Sequence, residues 1–340
     1  MEGPPRPSPP GIGVTLPKEP GLGETLSEAL QTLRANLLTL VGFVLVVLIL
    51  GLALLVWAVP VVTGLFGPAL SILPYDPNAL NPNASYLPPG PHHWFGTDED
   101  GRDLFARVLT ALPLDMGIAV VIVGAAVMIG GGLGLVSGFW ETSRTARVVS
   151  ATILRVTDIF LAFPTLVLAL AIAALLGRDL TSTLIALIAT WWPYYVRLVR
   201  GEVLTIKHQG YIPAARALGV REPTILFRHV LRNLLEPLVV YMTLDIGTVL
   251  VTFSTIAFVA IPLPPNQPEW GSMIANYQGY LPQFLWMVLA PGAAIFVSVL
   301  SFSLLGDGMR DVLDPRTRRA FARVRANLAS PEPVPGSAEA

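Results

Sequence analysis

Six long apolar runs divide the chain, with polar stretches between them. The first, Leu37 to Val59, passes 23 residues without a charge, and the second, Met116 to Trp140, passes 25. The third, Ile159 to Gly177, and the fourth, Leu180 to Val196, are shorter at 19 and 17 residues. The fifth, Leu238 to Ile261, carries one charge, Asp245, and the sixth, Gln283 to Gly306, carries none. About 20 apolar residues in a helix cross the roughly 30 Å of bilayer hydrocarbon. The runs therefore predict an all-α membrane protein with six transmembrane helices. The third and fourth reach full length if Val148–Asp158 and Arg197–Arg200 extend them at the cytoplasmic end.

Composition agrees with a chain solvated by lipid. Hydrophobic residues make up 53% of the 340 and charged residues only 13%, where soluble domains carry about 25%. The net charge of −1 gives no basis for a nucleic-acid partner. Residues 1–23 are rich in proline and glycine and predict a disordered tail. They do not read as a signal peptide, because the first apolar run starts too late and is too long. Within 24–36, Leu26, Ala29, Leu30 and Leu33 recur at helical spacing and predict a short helix on the membrane surface. Residues 307–340 read as a terminal tail on the cytoplasmic side.

Basic residues orient the spans, since cytoplasmic loops carry the excess of Lys and Arg. With both termini in the cytoplasm, nineteen of the 22 basic residues lie inside, seven of them between Arg197 and Arg232. Only Arg102, Arg107 and Arg178 lie outside. Two connections exceed what joining helices requires. These are the external segment 60–115 and the cytoplasmic loop 197–236, the latter inside a five-helix core at 116–306. Loops of that size are usually functional.

In the cytoplasmic loop, Pro213 suits a first helical turn and Gly219 the residue just past a helix end. Pro223 suits the first turn of a second helix. The prediction is helix, glycine turn, helix. On the second helix Ile225, Leu226, Val230 and Leu231 form an apolar stripe, with Arg221, Arg228 and Arg232 elsewhere. Such a pair either docks into a groove on another protein or lies on anionic lipid.

Inside the spans, Gly130, Gly134 and Gly138 fall four residues apart. That spacing permits close helix approach, within this chain in preference to a second subunit. Pro164, Pro193 and Pro291 mark either kinks or helices that line a cavity. Intramembrane ionisable groups are functional candidates. Arg155 and Asp158 stand i, i+3 and predict a structural pair. Asp245 has no partner in its own helix. It faces a pathway where it meets a substrate amine, or pairs with a neighbouring subunit, or sits at the membrane edge. His92 and His93 lack further ligands and read as part of a solvated loop, not a metal site. No catalytic constellation emerges, and the absence of cysteine excludes disulfides and thiolate metal sites. Neither lysine, Lys18 nor Lys207, follows a glycine, so the chain holds no Gly-Lys-Ser/Thr phosphate loop. If ATP drives the protein, another subunit binds it.

The loop from Gly210 to Asn233 resembles the cytoplasmic motif of ABC importer permeases: Glu-Ala-Ala, three residues, Gly, nine residues, Ile-x-Leu-Pro. Ala214, Ala215 and Gly219 match with the correct spacing, as do Tyr211, Arg216, Ala217, Leu218, His229 and Asn233. Pro213 replaces the usual Glu, and Arg232 the usual Pro. The stretch His93 to Arg107 is similar to the segment before the second helix of dipeptide, oligopeptide and nickel permeases of the shorter "C" type. Arg155–Asp158, Phe163-Pro164, Arg197–Leu204, Trp270–Met273, Pro291-Gly292 and Leu305–Pro315 match in order, so the resemblance runs from about residue 30 to 317. It departs at 256–261 and at Pro113.

The resemblance implies a type I ABC importer permease fold in a bacterial inner membrane. A homologous second permease would complete the pathway, and two ATPase subunits would hold ATP and magnesium below it. The coupling residues would be Tyr211, Ala214, Ala215, Arg216, Leu218, Gly219, Ile225, Arg228 and His229. An external solute-binding protein would dock on 98–107 and 262–282, with Asp98, Arg102, Asp103 and Trp270 as candidate contacts. The rival reading is a stand-alone ion-coupled transporter with Asp158 and Asp245 as its ion site. That reading requires inverted repeats, and spans one to three show no likeness to spans four to six.

Overall fold

The computed structural model describes residues 37–66, 73–140, 143–177, 179–260, 264 and 266–313. The tail 1–23, the surface helix expected over 24–36 and the stretch beyond 313 lie outside the described residues. The described residues are helical or irregular, apart from a single bridge between Thr97 and Asp103. In chain order the helices are α1 (Leu37–Phe66), α2 (Leu104–Ala126), α3 (Gly132–Phe139), α4 (Arg144–Leu161) and α5 (Thr165–Leu176). There follow α6 (Leu180–Lys207), α7 (Tyr211–Ala217), α8 (Leu231–Ala260), α9 (Trp270–Tyr277) and α10 (Leu285–Leu313).

Side-chain oxygens start several of these helices by accepting from backbone N–H groups that lack an intrahelical partner. Asp103 Oδ1 accepts from Ala106 N at 2.7 Å, Ser143 Oγ from Ala146 N at 3.1 Å and Asp179 Oδ1 from Ser182 N at 2.7 Å. A π turn, Val127–Gly131, joins α2 to α3 without ending the rod, and another, Ile225–Val230, leads from Glu222–Thr224 into α8.

Four helical rods are long and apolar enough to cross a membrane: Leu37–Val59, Leu104–Phe139, Glu222–Val259 and Leu285–Asp311. The expected third span is not one rod. Its chain turns by 89° between Leu161 and Thr165, because Pro164 cannot donate a helical hydrogen bond and disfavours helical backbone at Phe163. Taken as one bent span, α4 and α5 make a fifth crossing. The fourth run lies in α6, where Trp191, Trp192, Pro193, Tyr194 and Tyr195 dilute the apolar character. Pro193 and Pro291 sit inside continuous helices.

Boundaries also shift. The external segment is shorter than 60–115, because α1 runs on to Phe66 and α2 starts at Leu104. The loop 197–236 shrinks likewise: α6 continues to Lys207 and helix resumes at Glu222. The last helix extends past 306 to Leu313.

Close packing is organised by glycines. Gly130, Gly134 and Gly138 all face α6. A Cβ at Gly130 would lie 2.1 Å from the Trp192 carbonyl oxygen, and one at Gly134 2.7 Å from that of Val196. The stripe is thus spent inside the chain. Lys207 Nζ donates to the carbonyls of Gly138 and Phe139 at 3.2 and 3.0 Å, which caps α3 with the end of α6. On the other side α1 lies along α10, where Gly42 and Gly308 admit Leu305 and Thr39. Between these pairs, α2 brings Ala119, Ile122 and Ala126 into a core shared with Leu187 and Tyr195 of α6 and Leu250 and Phe253 of α8.

Candidate functional site

The turn that follows α7 has the predicted form. α7 ends in a Schellman motif: Gly219 N donates to Arg216 O at 3.0 Å and Val220 N to Ala215 O at 3.1 Å. Gly219 takes φ +78°, a left-handed backbone that costs a side-chain-bearing residue about 1–2 kcal/mol. Arg216 grips Glu222 across the turn with two bonds of 2.8 and 3.2 Å. Asn233 Nδ2 donates to the Tyr211 hydroxyl at 3.2 Å, and the ring of His229 lies 6.2 Å from that of Tyr211.

The apolar stripe faces inward, contrary to the docking expectation. Ile225, Leu226 and Val230 are buried with Ile212 in the chain's own core. The most exposed large apolar groups here are Leu218 at the tip, 84% exposed, and Phe227, 65% exposed. Tyr211, Ala214 and Arg228 are exposed, while Ala215, Arg216 and His229 are half-buried.

The intramembrane acids find partners that spacing did not indicate. Asp158 does not pair with Arg155. Its Oδ1 accepts from Arg197 Nη2 at 2.6 Å, tying α4 to α6, and Arg155 is exposed. Asp245 Oδ2 accepts from Trp191 Nε1 at 2.7 Å and from the Tyr195 hydroxyl at 2.9 Å. Each acid is thus engaged separately, which removes the shared ion site of the rival reading.

Ahead of α2, residues 76–103 fold into a cap over its N-terminal end. Its hub is Asp98, fully buried. Oδ1 accepts from the backbone of Asp100 and Arg102 at 3.0 and 2.8 Å. Oδ2 accepts from Arg102 Nε at 2.7 Å and from the Tyr277 hydroxyl of α9 at 3.0 Å. Burial pushes Tyr277 well above the ordinary tyrosine range, so it stays a neutral donor. Asp103 faces His93 Nδ1 at 2.8 Å, and His93 packs against Tyr75. Trp270 fills the junction with α2, donating Nε1–H to Val108 O at 3.0 Å.

Asp98, Arg102, Asp103 and Trp270 are all buried, so their expected contact with an external protein is corrected. Asp98 pairs with Arg102 and Asp103 with His93, and with Trp270 they brace the cap instead. Its exposed side chains include Trp94, 60% exposed, beside a cavity of about 250 Å³ lined by Tyr75, His92 and Phe105. No cluster of three or more metal-ligating side chains forms among the described residues.

Sequence reasoning missed a buried pair. Glu269 caps α9 with bonds from Gly271 N at 2.7 Å and Ser272 N at 2.6 Å. Asp115 of α2 accepts from Trp270 N at 3.2 Å through Oδ2. Both carboxyls are buried at the junction of α2 and α9, where Asp115 Oδ1 takes no hydrogen bond. An acid immediately before Trp-Gly-Ser was the available signal for the cap.

Burial raises the Glu269 pKa above the usual glutamate value, against the lowering effect of the Ser272 and Gly271 amides. A raised folded-state pKa gives stability that is present below the unfolded value and lost as pH rises through the folded one. The thermal midpoint of the wild type relative to Glu269→Gln is therefore expected to fall as pH rises above the ordinary glutamate range. A pH-independent difference between the two would contradict the raised Glu269 pKa.

Comparison with known proteins agrees with this architecture. Residues 130–319 match the model for the binding-protein-dependent transport system inner membrane component. The chain is 40% identical over 252 residues to the probable D,D-dipeptide transport system permease protein of Escherichia coli, covering 74% of this chain and 82% of the relative. It is 34% identical over 291 residues to the dipeptide transport system permease protein of Alkalihalophilus pseudofirmus, covering 86% and 90%. It is 36% identical over 250 residues to a glutathione transport system permease protein of Pectobacterium atrosepticum, covering 73% and 81%. The chain belongs to the binding-protein-dependent transport system inner membrane component family, as a non-catalytic, multi-pass permease subunit of an ATP-driven importer in a bacterial inner membrane.

Proposed function

We propose that this permease carries peptides or closely related small solutes as one half of a type I importer, and that the turn around Gly219 is its contact with an ATPase. The chain crosses the membrane six times, with both ends in the cytoplasm. A homologous second permease supplies the other half of the pathway. Two ATPase subunits hold ATP and magnesium. A solute-binding protein delivers cargo to the outer cap, over the exposed face that carries Trp94 and Tyr75.

The observation that carries this reading is the short helix pair at the base of α6 and α8, which leaves Leu218 and Phe227 outward while Ile212, Ile225, Leu226 and Val230 are buried. An exposed leucine at the tip of a rigid turn suits a pocket on a partner. The 19-to-3 split of basic residues supports the orientation. Relatives named for dipeptides and glutathione support the substrate class.

Leu218→Asp tests the contact in the assembled importer, reconstituted with its partners in lipid vesicles. Placing a carboxylate in an apolar pocket is expected to weaken ATPase binding by on the order of 2 kcal/mol, about thirtyfold. ATP-dependent uptake should fall in step, with membrane insertion unchanged. Unchanged ATPase retention and uptake would overturn the assignment.

A further inference from the structure

We propose that Asp245, with the aromatic side chains around it, is a half-site on the translocation pathway for the ammonium group of the transported solute; the inference rests on the importer reading above. The carboxylate is divided in its use. Oδ2 is saturated by Trp191 and Tyr195 at 2.7 and 2.9 Å, and these two donors fix its orientation. Oδ1 takes no hydrogen bond among the described residues, and it is not sealed from outside. Neither α6 nor α8 brings a basic side chain to it. The nearest basic residue along α6 beyond its donors, Arg197, is engaged with Asp158. A carboxylate open on one side and lacking a protein cation is costly against lipid, and it calls for a positive group to complete it.

Its surroundings fit an organic cation. Tyr194 is 48% exposed and lies within electrostatic reach of both Asp245 and Tyr241. Trp191 and Tyr195 are buried behind the acid, which leaves the Tyr194 ring as the open aromatic face, and ammonium groups are attracted to aromatic faces. Along α8 the polar residues Tyr241, Asp245, Thr248, Thr252 and Thr255 recur at i, i+4, i+7, i+11 and i+14, so they share one helix face. All five keep some exposure. The hydroxyls of Thr252 and Thr255 donate back to Thr248 O and Val251 O at 2.9 and 2.7 Å. Their protons are spent inside the helix, and their lone pairs remain for the open side. The face thus presents acceptors and one negative charge to a solute that moves along it.

The native chain has no cysteine, so a single thiol can report on this face in the full importer, assembled with cysteine-free partner subunits. Thr248→Cys places it one turn from Asp245. A cationic thiol reagent is expected to react about tenfold faster than an anionic one of equal size, and Asp245→Asn should erase that preference. Trialaninamide, which carries a free ammonium, should slow the labelling at least fivefold. N-acetyl-trialaninamide should not, and Asp245→Asn should abolish the protection while Asp245→Glu keeps part of it. A thiol that neither reagent reaches, equal protection by both peptides, protection surviving in Asp245→Asn, or equal protection by sodium ion would each overturn the proposal. Uptake of trialanine by the wild type is measured in parallel. Its absence alongside intact protection sinks the peptide reading and leaves the ammonium site standing.

Discussion

Asp98→Ala is expected to destabilise the 76–103 cap by about 1–3 kcal/mol, the cost of leaving several buried donors without their acceptor. Arg102 loses its 2.7 Å partner while only 7% exposed, and the Tyr277 hydroxyl loses its acceptor. Two backbone amides, of Asp100 and Arg102, also lose the oxygen that shapes the turn. Asp98→Asn keeps much of the shape and removes the charge, so an intermediate loss is expected. Replacing Arg102 with Met as well should restore part of the stability, because the buried cation, left with Asp100 at 2.9 Å and Glu99 at 3.8 Å, is then gone. Protease cleavage within 76–95 of the purified protein, followed against temperature, measures all three. An Asp98→Ala cap as resistant as the wild type would show that the buried cluster does not hold it.

The second large effect is expected at Gly130. Gly130→Leu forces α2–α3 and α6 apart, because the new Cβ meets the Trp192 carbonyl oxygen at 2.1 Å and Tyr195 Cβ at 2.8 Å. The first of these belongs to a helix backbone and cannot rotate away. Overpacking of a fitted core costs about 1–3 kcal/mol and more where backbone must move, so a loss of about 3 kcal/mol or greater is expected here. Gly132→Leu is the control on the same rod, since no heavy atom outside its own helix stands within 4 Å of a Cβ there. Accumulation of folded protein in the membrane and its thermal midpoint in detergent separate the two. Equal behaviour of both variants would contradict the close approach.

Apolar runs and punctuating residues were legible in the sequence because they act locally. A run of apolar residues needs no partner to be read, and Pro213 and Gly219 impose their backbone on the turn wherever it lies. The spacing of Gly130, Gly134 and Gly138 announced a tight contact, and packing inside one chain met it. The break at Pro164 was blurred because apolar residues continue on both sides of it. The acids were harder. Arg197 lies 39 positions from Asp158, and Trp191 lies 54 from Asp245, so no local pattern joins them. The charges of Asp98–Arg107 read as a docking surface for an external protein, whereas folding turns Asp98 and Arg102 against each other. Asp115 and Glu269 stand 154 positions apart in number, and only the packing of α9 on α2 makes them neighbours.

The unbroken helices on either side of Gly219 make the protein a pair of tongs. α6, 28 residues long, is a rod of about 42 Å, and α8 rises beside it without a break. A tilt of ~5° at the cytoplasmic grip would swing the far end of such a rod by ~4 Å, close to the width of a strand of solute backbone. The clasp between Asp245 and the Trp191–Tyr195 pair spans the two jaws partway along. A small twist at the base would therefore change the spacing of the two rods and load the Asp245 clasp between them in one stroke.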